Sequence, residues 1–267
     1  MPGLKIVAIF GDGPSQKALA HRIHQSVPLH HIARIKLEPK GRRRVIRSAV
    51  SLTLARGLRA AWKNMLNHFE QRFTDWPAVP ASEHASANDP VLAELIQRQR
   101  PDLVLVSGTD LLTKATLDRF ATKVVNLHTG ISPYIRGGPN CANWALALGE
   151  FDLIGNTIMW IDPGIDSGAI ISTERTPLTG RESLKELHIK VMDHAHDLYC
   201  RAVEAFAQGR TLPSVRQTDI AKGRLFLTRH WDSAAMLRAV LNHRFRYGPF
   251  QLRNDIRLVS LDDDGLS

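Results

Sequence analysis

The sequence predicts an α/β fold, with a Rossmann-like and mostly parallel sheet that carries helices on both faces. Runs that are apolar almost throughout occur at KIVAIFG (5–11), DLVLVSG (102–108) and KVVNLH (123–128), as expected of strands buried on both sides. Segments with helical periodicity separate these runs, and strands that alternate with helices favour a parallel sheet.

The first part of the chain supplies the opening of this sheet. The strand 5–11 ends in a glycine-bearing turn that leads into a helical pattern, and a second strand is predicted over 31–37. KGRRR (40–44) is expected to be an exposed loop. An amphipathic helix with a basic outer face follows. The apolar residues that recur along its inner face are Leu54, Leu58, Trp62, Met65, Phe69 and Phe73.

The segment 74–90 is rich in Pro, Ala and Ser, which predicts a surface connection. It leads into a helix with Asn88 or Asp89 as its cap and Pro90 at its first position. Pro101 is predicted to end that helix.

The middle of the chain continues the alternation of strands and helices. TKATLDRF (113–120) is helical in pattern, and so is PNCANWALALGE (139–150). IGNTIMWID (154–162) and GAIISTER (168–175) read as two further strands joined by a short glycine-bearing loop.

Thr179 and Glu182 have the spacing of a capping box, which predicts the start of a long helix that closes the core. We therefore expect a core over residues 1–212 and a small α+β appendage over 213–267. The appendage is predicted to hold one helix and a last short strand near 256–259.

Composition is that of an ordinary globular protein, with 43% apolar and 23% charged residues in 267. No apolar run approaches the roughly 18 residues that span a membrane, so we expect a cytoplasmic protein without a membrane partner. Cys141 and Cys200 lack the spacing of a disulfide framework or a zinc site, and no metal is expected.

The net charge of +9 is concentrated in one segment. Residues 34–63 contain ten Lys or Arg and, on the acidic side, only Glu38. A positive field of this kind favours polyanions or phosphorylated ligands. A solvated basic surface without a ligand is the plainer interpretation.

Asn126 and His128 form the first candidate site. They lie two apart at the end of a predicted strand, where side chains alternate, so both point to the same face. Ligands of open parallel sheets bind beyond the carboxyl ends of the strands. An amide can donate to an oxygen that becomes negative, and an imidazole can move a proton near neutral pH. Asp162 and Asp166 are the candidate carboxylates to orient the imidazole.

NLHTGISPYIRGG (126–138), followed by GNTIMWIDPGIDSGAII (155–171), closely resembles the folate-dependent formyltransferases, which use 10-formyltetrahydrofolate. The shared pattern is Asn-x-His at a strand end, a Pro turn with a nearby Gly, and an apolar strand followed by an Asp-Ser-Gly loop. It covers roughly residues 4–210. The resemblance implies an enzyme of that fold that needs no metal.

The resemblance also implies roles for individual residues. Asn126, His128 and Asp166 match the catalytic residues, and Asp166 is preferred over Asp162 because it lies in the DSG of the second motif. Folate is expected to contact Ser107, Leu111, Leu112, Met159, Ile161 and Asp162.

The acceptor amine is less well defined by the resemblance. Sugar N-formyltransferases, which act on nucleotide-linked amino sugars of surface polysaccharides such as lipopolysaccharide O-antigen, combine this core with a short tail and fit best. Methionyl-tRNA formyltransferases are the alternative, although 213–267 is expected to be too short for their carboxyl-terminal barrel. The sequence does not decide the oligomeric state, and a homodimer is compatible with it.

A pyrophosphate-bearing acceptor would also use the positive charge. The first strand-to-helix turn offers backbone amides to an anion, so the predicted acceptor contacts are Gly13, Ser15, Gln16 and Arg136. A basic nucleic-acid-binding protein without catalytic activity is the non-enzymatic alternative. It would leave Asn126 and His128 unexplained, so nucleic acid is not the expected partner.

Overall fold

The computed structural model of the chain describes residues 4–37, 49–138 and 140–262, so the predicted loop 40–44 lies outside the described part. The strands are β1 (Ile6–Gly11), β2 (His31–Ile35), β3 (Ala81–His84), β4 (Leu103–Ser107), β5 (Lys123–His128), β6 (Arg136–Gly137), β7 (Gly155–Trp160), β8 (Ile170–Arg175) and β9 (Leu225–Phe226). The helices are α1 (Pro14–Ser26), α2 (Ala49–Glu70), α3 (Pro90–Gln99), α4 (Lys114–Phe120), α5 (Cys141–Leu148), α6 (Leu184–Ala207), α7 (Gln217–Ile220) and α8 (Ser233–Phe245).

The central sheet has the strand order β3-β2-β1-β4-β5-β7-β8. The five strands from β3 to β5 pair in parallel, whereas β7 pairs antiparallel with both β5 and β8. The loop between β7 and β8 is too short for a parallel crossover, so these strands form an antiparallel pair. The predicted mostly parallel α/β sheet is therefore confirmed.

The edge strand β3 was not expected, because its segment was predicted to be a surface connection. Only His84 of this four-residue strand is buried, so no apolar run marks it in the sequence. It pairs in parallel with β2, and polar side chains reinforce the pairing, with Arg34 in an ion pair with Glu83 and His31 hydrogen-bonded to Ser82. Of the two candidate caps for α3, the Asp89 carboxylate is the one that accepts from the Val91 amide.

Helices cover both faces of the sheet, as predicted. On one face Leu19 of α1, Phe69 of α2 and Leu198 of α6 share a core with the inward residues of the strands. On the other face Leu92 of α3 and Phe120 of α4 do the same. The continuous apolar strands follow from this double cover.

Two features of α2 differ from the prediction. The helix begins at Ala49, earlier than the first residue of the predicted apolar face. Met65 and Phe69 are fully buried as expected, but Trp62 is 38% exposed. Trp62 therefore lies at the border of the apolar face and is only partly covered by the core.

The predicted capping box of Thr179 and Glu182 was wrong. The long helix α6 begins one turn later, where the Ser183 hydroxyl accepts from the Glu186 amide and the Glu186 carboxylate accepts from the Ser183 amide. Gly180, between the predicted pair, has a φ of +80°, which a right-handed helix cannot contain. The buried Glu182 carboxylate instead accepts from Thr179 and from the hydroxyl of Tyr247 in the tail.

The tail after residue 212 packs on the core. Ala235 and Ala239 of α8 share an apolar cluster with Trp144 of α5 and Val191 of α6. The predicted strand near 256–259 is not formed, although the Val259 carbonyl accepts from the Thr173 amide beside β8. The proposed boundary between residues 212 and 213 stays a prediction.

Within the described ranges, no helix combines the length and the apolar character needed to cross a membrane.

Candidate active site

A cavity of about 320 Å³ opens at the carboxyl ends of β1, β4 and β5, where ligands of open α/β sheets are expected. The loop between β7 and β8 forms another part of its wall. Asn126, His128 and Asp166 all line it. The three residues singled out from the sequence are thus brought together around one space.

The end of β5 positions Asn126 and His128. Both residues line the cavity. The intervening Leu127 belongs to the core on the α1–α6 face, as the alternation of a strand requires, and borders the cavity from that side. The buried hydroxyl of Tyr199 accepts from the Val106 amide at 3.1 Å and donates to the Val125 carbonyl at 2.8 Å. Tyr199 therefore bridges β4 and β5 directly beneath the site.

The turn after His128 is held by the side chain of Thr157 on β7. Its hydroxyl donates to the Gly130 carbonyl at 2.6 Å and accepts from the Ser132 amide at 3.0 Å. The Ser132–Pro133 peptide bond in this turn is cis. The two hydrogen bonds of Thr157 fix where the chain turns back toward the cavity.

Asp166 is the carboxylate that reaches the imidazole. Its Oδ2 lies 3.3 Å from Nδ1 of His128 and accepts from the Gly137 amide at 3.1 Å. The other candidate, Asp162, accepts from the Ser167 hydroxyl at 2.6 Å and so closes the loop on itself. Asp166 has a φ of +47°, a left-handed conformation that Asp adopts more readily than most residues.

Gly137 supplies the amide that holds Asp166, and only a glycine fits there. It lies on β6, which pairs with β9 of the tail. Its φ is +91°, and a Cβ would lie 2.1 Å from the Phe226 carbonyl oxygen. Because β6 is a two-residue strand, its position depends on the tail strand beside it.

The surroundings of His128 favour its protonated form. Burial lowers the pKa of His128, but the Asp166 carboxylate and the Cys141 sulfur outweigh that effect and raise it to about 10. Nε2 lies 3.4 Å from the Ile135 carbonyl oxygen, an acceptor that requires an N–H, and 3.4 Å from Cys141 Sγ. Proton exchange is therefore expected at Nδ1, on the Asp166 side.

Replacing Cys141 by Ala is expected to lower the pKa of His128, because the sulfur beside Nε2 helps to hold the proton. The basic limb of the profile of kcat/KM against pH should move to lower pH, with a loss at neutral pH of less than about fivefold, since sulfur is a weak partner. Cys200→Ala, on α6, is the matched control and should not change the pH at which the basic limb of the profile falls. A large loss of rate with an unmoved limb would show that Cys141 serves packing alone.

The predicted folate contacts line the cavity without exception: Ser107, Leu111, Leu112, Met159, Ile161 and Asp162. Their role as contacts stays a prediction. Of the predicted acceptor contacts, Ser15 and Gln16 line the cavity, whereas Gly13 and Arg136 do not. The Ser15 hydroxyl is bonded to His196 Nε2 at 3.1 Å and Ser15 is 2% exposed, so this hydroxyl belongs to the core.

The sequence did not indicate two residues that shape the site. Gln217 in the tail donates its amide to the carbonyls of Asp166, at 2.8 Å, and Gly168, at 2.9 Å, and so anchors the loop that carries Asp166. A lone Gln in an irregular segment carries no local signal for this contact. Trp62 also lines the cavity. The sequence did not indicate this position, because Trp62 belongs to the apolar face of a predicted helix.

An amide donor, an imidazolium and a carboxylate around a partly apolar cavity suit a reaction in which an acyl oxygen gains charge and a proton is transferred. Among residues 4–37, 49–138 and 140–262, no cluster of three or more His, Cys, Asp or Glu side chains is arranged to hold a metal ion.

Solved formyltransferases have the same fold. The N-formyltransferase of Helicobacter canadensis, in complex with folinic acid and dTDP-3-aminofucose, superposes with a TM-score of 0.56 at 11% identity over 98% of this chain and 97% of that one. Phosphoribosylglycinamide formyltransferase of Anaplasma phagocytophilum gives a TM-score of 0.56 at 16% identity over 85% and 99%.

Sequence comparison also finds formyltransferases, and these are named for a third acceptor, methionyl-tRNA. Methionyl-tRNA formyltransferase of Syntrophus aciditrophicus is 33% identical over 126 residues, which are 47% of this chain and 40% of that protein. This chain thus matches less than half of its curated relative. The formyl transferase family model matches residues 4–203. The resemblance drawn from the two motifs is confirmed, and this chain belongs to the formyl transferase family.

Proposed function

We propose that this enzyme transfers the formyl group of 10-formyltetrahydrofolate to the primary amine of a nucleotide-linked amino sugar. The observation that carries the reaction is the convergence of Asn126, His128 and Asp166 on one cavity, with the His128–Asp166 pair 3.3 Å apart. The acceptor rests on other observations, because the family contains enzymes for several amines.

In the proposed reaction the acceptor amine attacks the formyl carbon, and a carbon–nitrogen bond forms as the carbonyl oxygen gains negative charge. The Asn126 amide and the His128 imidazolium stabilise that oxygen. Asp166, directly or through a water, accepts the proton that the amine releases. The bond from carbon to the folate nitrogen then breaks, and the folate nitrogen leaves with a proton delivered through His128 and Asp166.

The donor is assigned to the part of the cavity between the β4 and β7–β8 loops. Leu112 and Ile161 belong to the apolar core under α3 and α4, and Leu111 is 57% exposed on the cavity rim. Apolar walls of this kind suit a flat pterin, and backbone groups of the loop offer polar contacts at its edge.

The tail supports a nucleotide-linked amino sugar as the acceptor. The similarity to the Helicobacter enzyme, which holds dTDP-3-aminofucose, spans 98% of this chain and therefore includes tail segments that hold the catalytic loop. The match to the methionyl-tRNA enzyme is one of sequence, over 47% of the chain, and does not compare the fold of the tail. Its 33% identity keeps methionyl-tRNA as the second candidate acceptor, whereas family membership sets aside the non-enzymatic alternative.

Separate incubations with the two kinds of acceptor test this function. The enzyme is incubated with 10-formyltetrahydrofolate and either a panel of nucleotide-linked amino sugars or methionyl-tRNA, and the products are read by mass spectrometry. We expect at least one amino sugar to gain a formyl group, with release of tetrahydrofolate. Formylation of methionyl-tRNA with no activity on the sugars would contradict the proposal.

A further inference from the structure

The cavity extends to both faces of the sheet. Leu112 and Ile161 of its wall pack in the core under α3 and α4, whereas Leu66 and Met192 of its wall pack in the core under α1, α2 and α6. His128 lies at the end of a strand between these faces. The donor occupies the first side in the proposed function, so the side formed by α2 and α6 is free for a second molecule.

Trp62 gives this second side a flat aromatic surface. It is 38% exposed and lines the cavity one helical turn from Leu66, so both project in the same direction from α2. The indole packs against His188 on α6 in a T-shaped arrangement, with ring centroids 5.9 Å apart and planes at 81°. A partly exposed aromatic ring that lines a cavity can stack on another planar ring.

Basic residues lie beside Trp62 on α2. Arg56, Arg59 and Lys63 are exposed at the spacing i, i+3 and i+7, which makes one row along α2. At about 100° per residue, Arg59 and Lys63 both project on the same side of the Trp62–Leu66 direction of α2. Neither forms an ion pair with any residue in the described ranges, so their charge is available to a ligand.

We propose that α2 forms the acceptor subsite, with Trp62 stacking on the base of a nucleoside diphosphate and Arg59 and Lys63 facing its phosphates. This inference rests on the proposed function and names the part of the acceptor that the enzyme recognises. A planar base is the ligand that an open indole binds, because every base has a π face. A diphosphate provides the negative charge that two free cations attract.

Binding measurements with dTDP and UDP as probes test the subsite, and folinic acid serves as the probe of the donor side. Trp62→Ala should weaken the binding of at least one nucleotide about tenfold or more, as for loss of a base stack, and leave folinic acid binding unchanged. Trp62→Phe, which keeps a ring, should stay within about threefold of the wild type. Arg59→Ser with Lys63→Ser should weaken the same nucleotide and flatten its dependence on salt.

Trp76→Phe is the matched control, since Trp76 donates to Asp12 outside the cavity wall, and it should change neither affinity. Equal nucleotide binding by the wild type and Trp62→Ala, or loss of folinic acid binding in Trp62→Ala, would overturn the subsite. A wild type that binds folinic acid and the trinucleotide CCA but neither dTDP nor UDP would overturn it in favour of a tRNA end. Failure of the wild type to bind folinic acid would instead overturn the proposed function.

Discussion

Replacing His128 by Ala is expected to lower kcat at least about a hundredfold while the chain stays folded, as for loss of general acid–base catalysis. The imidazole is held between Asp166 at Nδ1 and the Ile135 carbonyl with Cys141 at Nε2. Its removal takes away both the positive charge next to the formyl oxygen and the route for the proton. Circular dichroism tests whether the variant is folded. Single-turnover formylation, measured on the same preparation, gives the loss of rate.

His230→Ala, at an exposed position in the tail, is the control for loss of a histidine as such and should keep kcat within about twofold, as is usual for surface substitutions. Asn126→Ala should lower kcat about a hundredfold or more, in the range for loss of one oxyanion donor. If His128→Ala kept wild-type turnover with an intact fold, the site would have to be placed elsewhere.

The parts that the sequence could predict are those with local signals. Strands β1 and β4 form almost continuous apolar runs, and the spacing of Asn126 and His128 sets their common direction without reference to any other segment. The DSG motif identified Asp166 against Asp162 through the resemblance. The structure gives that choice a geometric reason, because the Asp166 carboxylate lies 3.3 Å from His128.

The parts that could not be predicted depend on contacts between distant segments. Gln217 reaches the carbonyl of Asp166 across 51 positions of sequence, and β6 exists only because β9 of the tail pairs with it. The capping box failed for a different reason: two consecutive Ser/Thr-x-x-Glu patterns compete, and Gly180 decides between them through its backbone angle. The position of Trp62 beside the cavity was not predicted, because helical periodicity does not distinguish an exposed from a buried residue of the apolar face.

Asp166→Asn is expected to lower kcat at least about a hundredfold and to change its dependence on pH. The amide keeps the size of the carboxylate and an oxygen that can accept from the Gly137 amide, so the loop should hold its shape. The variant loses a negative charge and a proton acceptor, each of which the proposed reaction uses. Single-turnover rates over a range of pH measure both effects.

The sign of the pH effect follows from the groups around His128. Burial lowers the pKa of His128, and the Asp166 charge is the foremost influence that raises it to about 10. Without that charge the imidazolium is lost at lower pH, so the residual activity of Asp166→Asn should fall on the basic side well before that of the wild type. The deficit of the variant should therefore grow as pH rises from acidic to mildly basic values.

Asp162→Asn is the matched control, because Asp162 lies in the same loop and lines the same cavity but accepts from Ser167. It should raise KM for the donor, lower kcat less than about tenfold, and leave the basic limb unmoved, since loss of one hydrogen bond in a loop is a modest perturbation. If Asp162→Asn abolished turnover while Asp166→Asn did not, the carboxylate that serves His128 during reaction would be Asp162. The 3.3 Å pair would then be an arrangement that substrate binding rearranges.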